Sequence, residues 1–166
     1  MTSTNSTSLI TALPTILISA YVAWIAYQQH RTNREKLRLD LYDRRFGVYT
    51  ASIDFYHVLS SYDEANEQHQ EAHRAFVKAM RESRFLFGQD SEIVSILEEM
   101  HTRAARIMGY KTYKKELREG SPNKAREWFE QQQNDYFWIG GDQGLLRLET
   151  FLTPFLDFRK TIGPRL

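Results

Sequence analysis

The sequence predicts an all-α protein, with one N-terminal transmembrane helix continuing into a cytoplasmic four-helix-type bundle. Three observations predict it. Residues 1–30 contain no Asp, Glu, Lys or Arg, and every charged side chain lies from Arg31 onward. The remainder repeats apolar residues at three- and four-residue spacing, the stripe of a core-facing helix. Glycine, proline and capping residues punctuate those stripes at helix-length intervals, and no run alternates as a strand does.

The first element is the uncharged run at residues 9–27, LITALPTILISAYVAWIAY. As a helix it covers about 28 Å, the thickness of a bilayer's hydrocarbon core. Tyr21, Trp24 and Tyr27 gather toward one end, where amphipathic rings favour the membrane interface. Arg31, Arg34, Lys36 and Arg38 follow at once, and by the positive-inside rule that flank stays cytoplasmic. A cleaved signal peptide would need a basic leader, and MTSTNSTS has none. The expected organisation is therefore a short extracytoplasmic tail at 1–8, a transmembrane helix at 9–28 and a cytoplasmic bundle at 29–166. The expected location is a bacterial inner membrane. Pro14, within the first two turns, starts or bends the span.

Thr11, Thr15, Ser19 and Ala23 recur every fourth residue and so stay near one another on the helix. Small and hydroxylated residues in such a stripe let helices approach closely in lipid. The stripe is a candidate self-association or pore face. The basic cluster Arg31, Arg34, Lys36 and Arg38 is a candidate for anionic lipid as well as a topology signal, with Asp40 and Asp43 diluting it.

Beyond Arg31 the first helix is expected to continue. Leu39, Tyr42, Phe46, Tyr49, Ile53 and Tyr56 form its stripe, widened by Leu41, Val48 and Phe55. Asp43, between Tyr42 and Arg44-Arg45, is expected in a buried ion pair that fixes packing or an interface. A turn at 60–63 leads to a second helix over about 64–87, with Ala72, Phe76, Ala79, Met80 and Ser83 inside and Gly88 as its stop. Asp90 or Ser91 caps a third helix, whose apolar face is Ile93, Ile96, Leu97, Met100, Ala104, Ile107 and Met108 and whose end lies near Gly120. Ser121-Pro122 restarts a fourth, carrying Ala125, Trp128, Phe129, Gln132 and Tyr136. The GGDQG run at 140–144 is a break, and a short fifth segment at 145–152 is limited by Pro154. Phe155, Leu156 and Phe158 are expected to pack the tail back onto the bundle.

Composition narrows the chemistry. The chain has 166 residues, 22 Lys plus Arg against 21 Asp plus Glu, and no cysteine. A net charge of +1 gives no nucleic-acid footprint, and the lack of cysteine excludes disulfides and thiolate chemistry. His69 and His73 share a helix face, a spacing that can bind zinc, but no further ligand can be named and a solvated polar face is the expected reading. None of His30, His57, His69, His73 and His101 follows an Arg at the four-to-six-residue spacing of HEPN ribonucleases. The 140–144 run lacks the Gly-Lys-Ser/Thr ending of a phosphate loop. No catalytic residue, metal or cofactor is expected.

Residues 41–46, LYDRRF, with Val48, Tyr49 and Ala51, resemble a widespread group of uncharacterised single-span bacterial membrane proteins. Arg84-Phe85-Leu86-Phe87-Gly88, Trp128-Phe129 and residues 151–158 with Pro154 extend the likeness, and the glycine-rich 140–144 run departs from it. More distantly, the layout is similar to the pore-forming membrane accessory protein of type VI-B CRISPR systems. That likeness implies a homo-oligomeric membrane protein acting in antiphage defence, as a pore or membrane-perturbing effector. The alternative is a non-catalytic, membrane-tethered scaffold or sensor that docks a cytoplasmic protein. Both take the lipid bilayer as first partner. Tyr42, Asp43, Arg44, Arg45, Phe46 and Tyr49 are the candidate packing or interface residues.

Overall fold

The computed structural model describes residues 5–120 and 122–157, with side chains at 17–114, 120 and 123–157. The fold is all-α. Its helices are α1 (Asn5–Leu59), α2 (Glu67–Phe87), α3 (Glu92–Gly120), α4 (Pro122–Gly140) and α5 (Leu145–Leu156). The chain divides into two compact units, Met1–Asp40 and Leu41–Leu166.

The first unit is the N-terminal part of α1. From Leu17 to Asp40 every side chain except Ile25 is exposed, including Leu17, Ile18, Tyr21, Val22, Trp24 and Tyr27. Tyr21 and Trp24, three residues apart, stack at 6.2 Å. Among the described residues no helix is long and apolar enough to cross a membrane. The side chains of residues 9–16, the first part of the uncharged run, lie outside them.

The second unit is a helical bundle centred on α3, which packs against α2, α4 and α5. Its core joins Val48, Phe55 and Leu59 of α1, Phe76 of α2, Ile93, Leu97, Met100 and Ile107 of α3, Ile139 of α4, and Leu148 and Leu152 of α5. The periodicity that predicts a stripe on α1 is present, but the buried line is Val48, Ser52, Phe55 and Leu59. The Leu39, Tyr42, Phe46 and Tyr49 line is displaced to one side: Leu39 and Phe46 are exposed, and Tyr42 and Tyr49 are half-buried. Aromatic residues crowd both flanks of this helix, so spacing alone does not choose the inner face. Ser52 is tolerated there because its hydroxyl donates to the carbonyl of Val48 at 2.8 Å.

Local chemistry sets the helix ends. Asn66 caps α2 by accepting from the amides of Gln68 and His69, so the helix begins at Glu67, three residues after the sequence boundary. Gly88 ends it at φ 89°, a conformation glycine adopts without strain. Ser91 caps α3, its hydroxyl accepting from the Ile93 amide. Lys111 reaches from α3 to the end of α1 and donates to the carbonyls of Leu59 and Ser60. Burial, followed by the charge of Lys114, lowers its pKa. Pro122 is the first residue of α4, whereas Ser121 lies outside the described residues.

Pro154 does not limit α5, which continues to Leu156. It lies in the last turn, where little helix follows to be disrupted. The buried Leu152 and the contact of Phe155 with Phe87, at 5.2 Å, hold the segment in place. Phe158 lies outside the described residues. The 140–144 run makes close backbone turns: a Cβ on Gly144 would meet the carbonyl oxygens of Ile139 and Trp138.

Candidate functional site

α3 presents Arg103 and Arg106 one turn apart toward α4, and α4 returns Asp135, which has no exposed surface. Asp135 Oδ1 accepts from Arg103 Nη1 at 2.8 Å, Arg106 Nη2 at 2.8 Å and Gln131 Nε2 at 3.3 Å. Its Oδ2 accepts from Arg106 Nε at 2.7 Å, so Arg106 grips the carboxylate with two parallel bonds. Arg103 also donates to Glu99 at 2.7 Å, and its guanidinium lies 4.4 Å over the Trp138 ring. Burial alone would raise the Asp135 pKa. The hydrogen bonds and charge of Arg106, with Gln131 and Arg103, outweigh it and hold the carboxyl below its ordinary range. A carboxylate held low by Arg106, whose own pKa is raised by the same hydrogen bonds, exchanges no proton with it near neutral pH. Asp135 orients the two guanidiniums, and with Arg106 it is not an acid–base pair.

Beside the cluster lies a groove of about 720 Å³ between α3 and α4. Ala105, Gly109, Tyr110, Tyr113 and Trp128 line it. Arg103, Arg106, Gln131 and Gln132 supply its donors. Trp128, placed on the fourth helix by its spacing, is 46% exposed and borders the groove. Phe129 is also exposed, and the buried side of α4 is Ala125, Asp135 and Ile139.

The residues singled out from the sequence are dispersed. Of the small-residue stripe, Ser19 and Ala23 are exposed, and the side chains of Thr11 and Thr15 lie outside the described residues. Arg31, Arg34, Lys36 and Arg38 are all exposed, with Arg31 3.4 Å from Glu35. Helical geometry sets Arg31, Arg34 and Arg38 on one side and Lys36 on the other.

The LYDRRF segment divides. Asp43 and Arg44 are exposed, so Asp43 is not in a buried ion pair. Tyr42 stacks on Phe46 at 6.0 Å, and Tyr49 donates to Glu149 of α5 at 3.3 Å. Burial, then the charge and hydrogen bond of Glu149, raise the Tyr49 pKa. Arg45 lies between the rings of Phe87, at 5.8 Å, and Phe155, at 5.1 Å. Among the described residues nothing accepts from its buried Nε, and the aromatic faces carry the interaction.

His69 and His73 are half-buried rather than on a solvated face. His69 Nδ1 accepts from the Asp63 amide at 3.0 Å. His73 is half-buried, stacked on Phe55 at 5.2 Å and on His101 at 6.2 Å. Burial, then the charge of His101, lower its pKa. Among the described residues no group of three His, Asp or Glu could hold a metal ion.

Sequence reasoning missed the Arg103–Arg106–Asp135 cluster. Its signal was present: two arginines three apart on an apolar helix, and an aspartate at core spacing between Ala125 and Ile139. No protein-family model, curated protein or solved structure matches the chain.

Proposed function

We propose that this is a single-pass membrane protein whose anchors cluster in the bilayer, a pore or membrane-perturbing effector of the kind implied by the layout resemblance. One observation carries the anchoring: α1 displays exposed apolar side chains on every side from Leu17 to Tyr27, ahead of an arginine-rich flank. A helix apolar all round is satisfied by lipid or by a protein core, and the described residues supply no protein cover. Clustering rests on the Thr11, Thr15, Ser19 and Ala23 spacing, and the antiphage role on the resemblance alone.

The second reading is a non-catalytic tethered scaffold or sensor. Phe85 at 92% exposure and Phe137 at 70% favour it, as apolar contacts for a docked cytoplasmic protein.

The test is to replace residues 9–27 with a polyleucine span of equal length and express both forms. The effector reading expects the parent to remain in alkaline-washed membranes, form a detergent-stable oligomer and collapse the membrane potential when triggered. The polyleucine form should remain anchored but lose the oligomer and the depolarisation. A parent released by the alkaline wash refutes anchoring. Depolarisation that survives the swap refutes the clustered-span effector and supports the scaffold.

A further inference from the structure

The groove between α3 and α4 is lined wholly by residues of the second unit. We propose that it binds a small, planar aromatic ligand carrying one anionic group, with the ring between Tyr113 and Trp128 and the anion on Arg106.

Four features select this chemistry. The groove, at about 720 Å³, falls within the range of small-molecule sites. Ala105 and Gly109, one turn apart, add little side chain to its lining, and a Cβ at Gly109 would meet nothing within 4 Å. The space over that turn is open rather than filled by a neighbouring side chain. Tyr113 at 53% exposure and Trp128 at 46% give the groove two half-bare aromatic side chains, suited to a flat ring.

The fourth feature is charge. Arg103 and Arg106 are the charged residues among the described lining, and no carboxylate accompanies them. Asp135 stands behind them with no exposed surface, so it orients the guanidiniums without presenting its own charge to the groove. Arg106 uses Nε and Nη2 on Asp135, and among the described residues nothing accepts from its Nη1. Its side chain is 44% exposed, against 22% for Arg103, which makes Arg106 the accessible cation. A carboxylate on the ligand would take that remaining donor as a charge-assisted bond. Gln132 adds a neutral amide at the rim for a second polar atom.

The experiment is calorimetric titration of the full chain in detergent with 2-naphthoate and with its uncharged analogue 2-naphthamide, each corrected against detergent alone. The proposal expects saturable 2-naphthoate binding with Kd on the order of 1 mM or tighter, and about tenfold weaker binding of the amide. Gly109→Leu adds a side chain to the groove lining at a position with open space, so it should keep the parent's melting temperature and weaken 2-naphthoate about tenfold or more. Arg106→Gln should abolish the preference for the anion while retaining the ring. Equal affinity for acid and amide, undiminished binding by Gly109→Leu, or no saturation of the parent below about 10 mM would each overturn it.

Discussion

The two parts of α1 solve the same problem by opposite means. Residues 17–27 carry exposed apolar side chains on all sides and no charge. Residues 48–59 bury one line of four and leave the rest to polar or half-buried contacts. The backbone is the same continuous helix, so the difference lies in what surrounds the side chains. The C-terminal part is specified by one face matched to its neighbours. The N-terminal part has no preferred face, which suits a solvent that is itself apolar on all sides.

The largest contrast should come from deleting one large ring in each part. Phe55 is 2% exposed and stacks on Phe76 at 4.8 Å. Phe55→Ala should destabilise the bundle by about 3–5 kcal/mol, as removal of a buried aromatic side chain does. Trp24→Ala should leave the bundle's denaturant midpoint unchanged and weaken membrane partitioning instead. A fall in midpoint for Trp24→Ala comparable with that for Phe55→Ala would place Trp24 in a protein core and break the comparison.

A charge placed in each part separates them next. Ile18 sits near the middle of the uncharged run, and Ile18→Arg should reduce membrane insertion by about 2.5–3.5 kcal/mol. Glycosylation-reporter topology mapping reads this, and insertion equal to the parent's would count against the span. The bundle already holds a buried charge, Asp135, because Arg103, Arg106 and Gln131 meet it. Asp135→Asn keeps the shape but removes the charge from beneath two guanidiniums. It should cost about 1–3 kcal/mol, moderated by the partial hydration of both arginines. Chemical denaturation measures it, and an unchanged midpoint would mean the cluster is only superficial.

The helices and their breaks were legible because they are set by local chemistry. Gly88, Ser91, Gly120 and Pro122 act within a turn of themselves, and the apolar face of α3 follows directly from its spacing. The site was not legible, because it depends on register between helices. Nothing in the order of α3 and α4 states that Asp135 lies opposite Arg103 and Arg106, 32 and 29 residues away. Asp43 misled for the converse reason: Leu39 and Phe46, the apolar residues that share its side of the helix, are themselves exposed. Pro154 misled because a proline rule for helix interiors was applied to a last turn, where it has less force.

The smallest expected effect is one of pH. It separates the two parts of α1 because only one packs against an imidazole. Residues 17–29 carry no carboxylate, amine or imidazole, so their partitioning into lipid should be flat between pH 5.5 and pH 8 on the scale of ordinary side-chain titrations, about 4 and 6.5. Phe55 stacks on His73, whose pKa is pushed below the ordinary 6.5 by burial and then by the charge of His101. The unfolded chain therefore takes up this proton at a higher pH than the folded one. The neutral His73 contributes fully above about 6.5, and that contribution is lost as the pH falls through 6.5 toward the folded value. Asp135, held below 3.8, loses its contribution only in more acidic solution, so the two windows stay apart. Thermal melting of the parent should thus decline modestly from pH 7.5 to pH 5.5, and His73→Gln should flatten that slope. A slope that persists unchanged in the variant would assign the titration to another group, and His101, 6.2 Å away, is the first to substitute in turn.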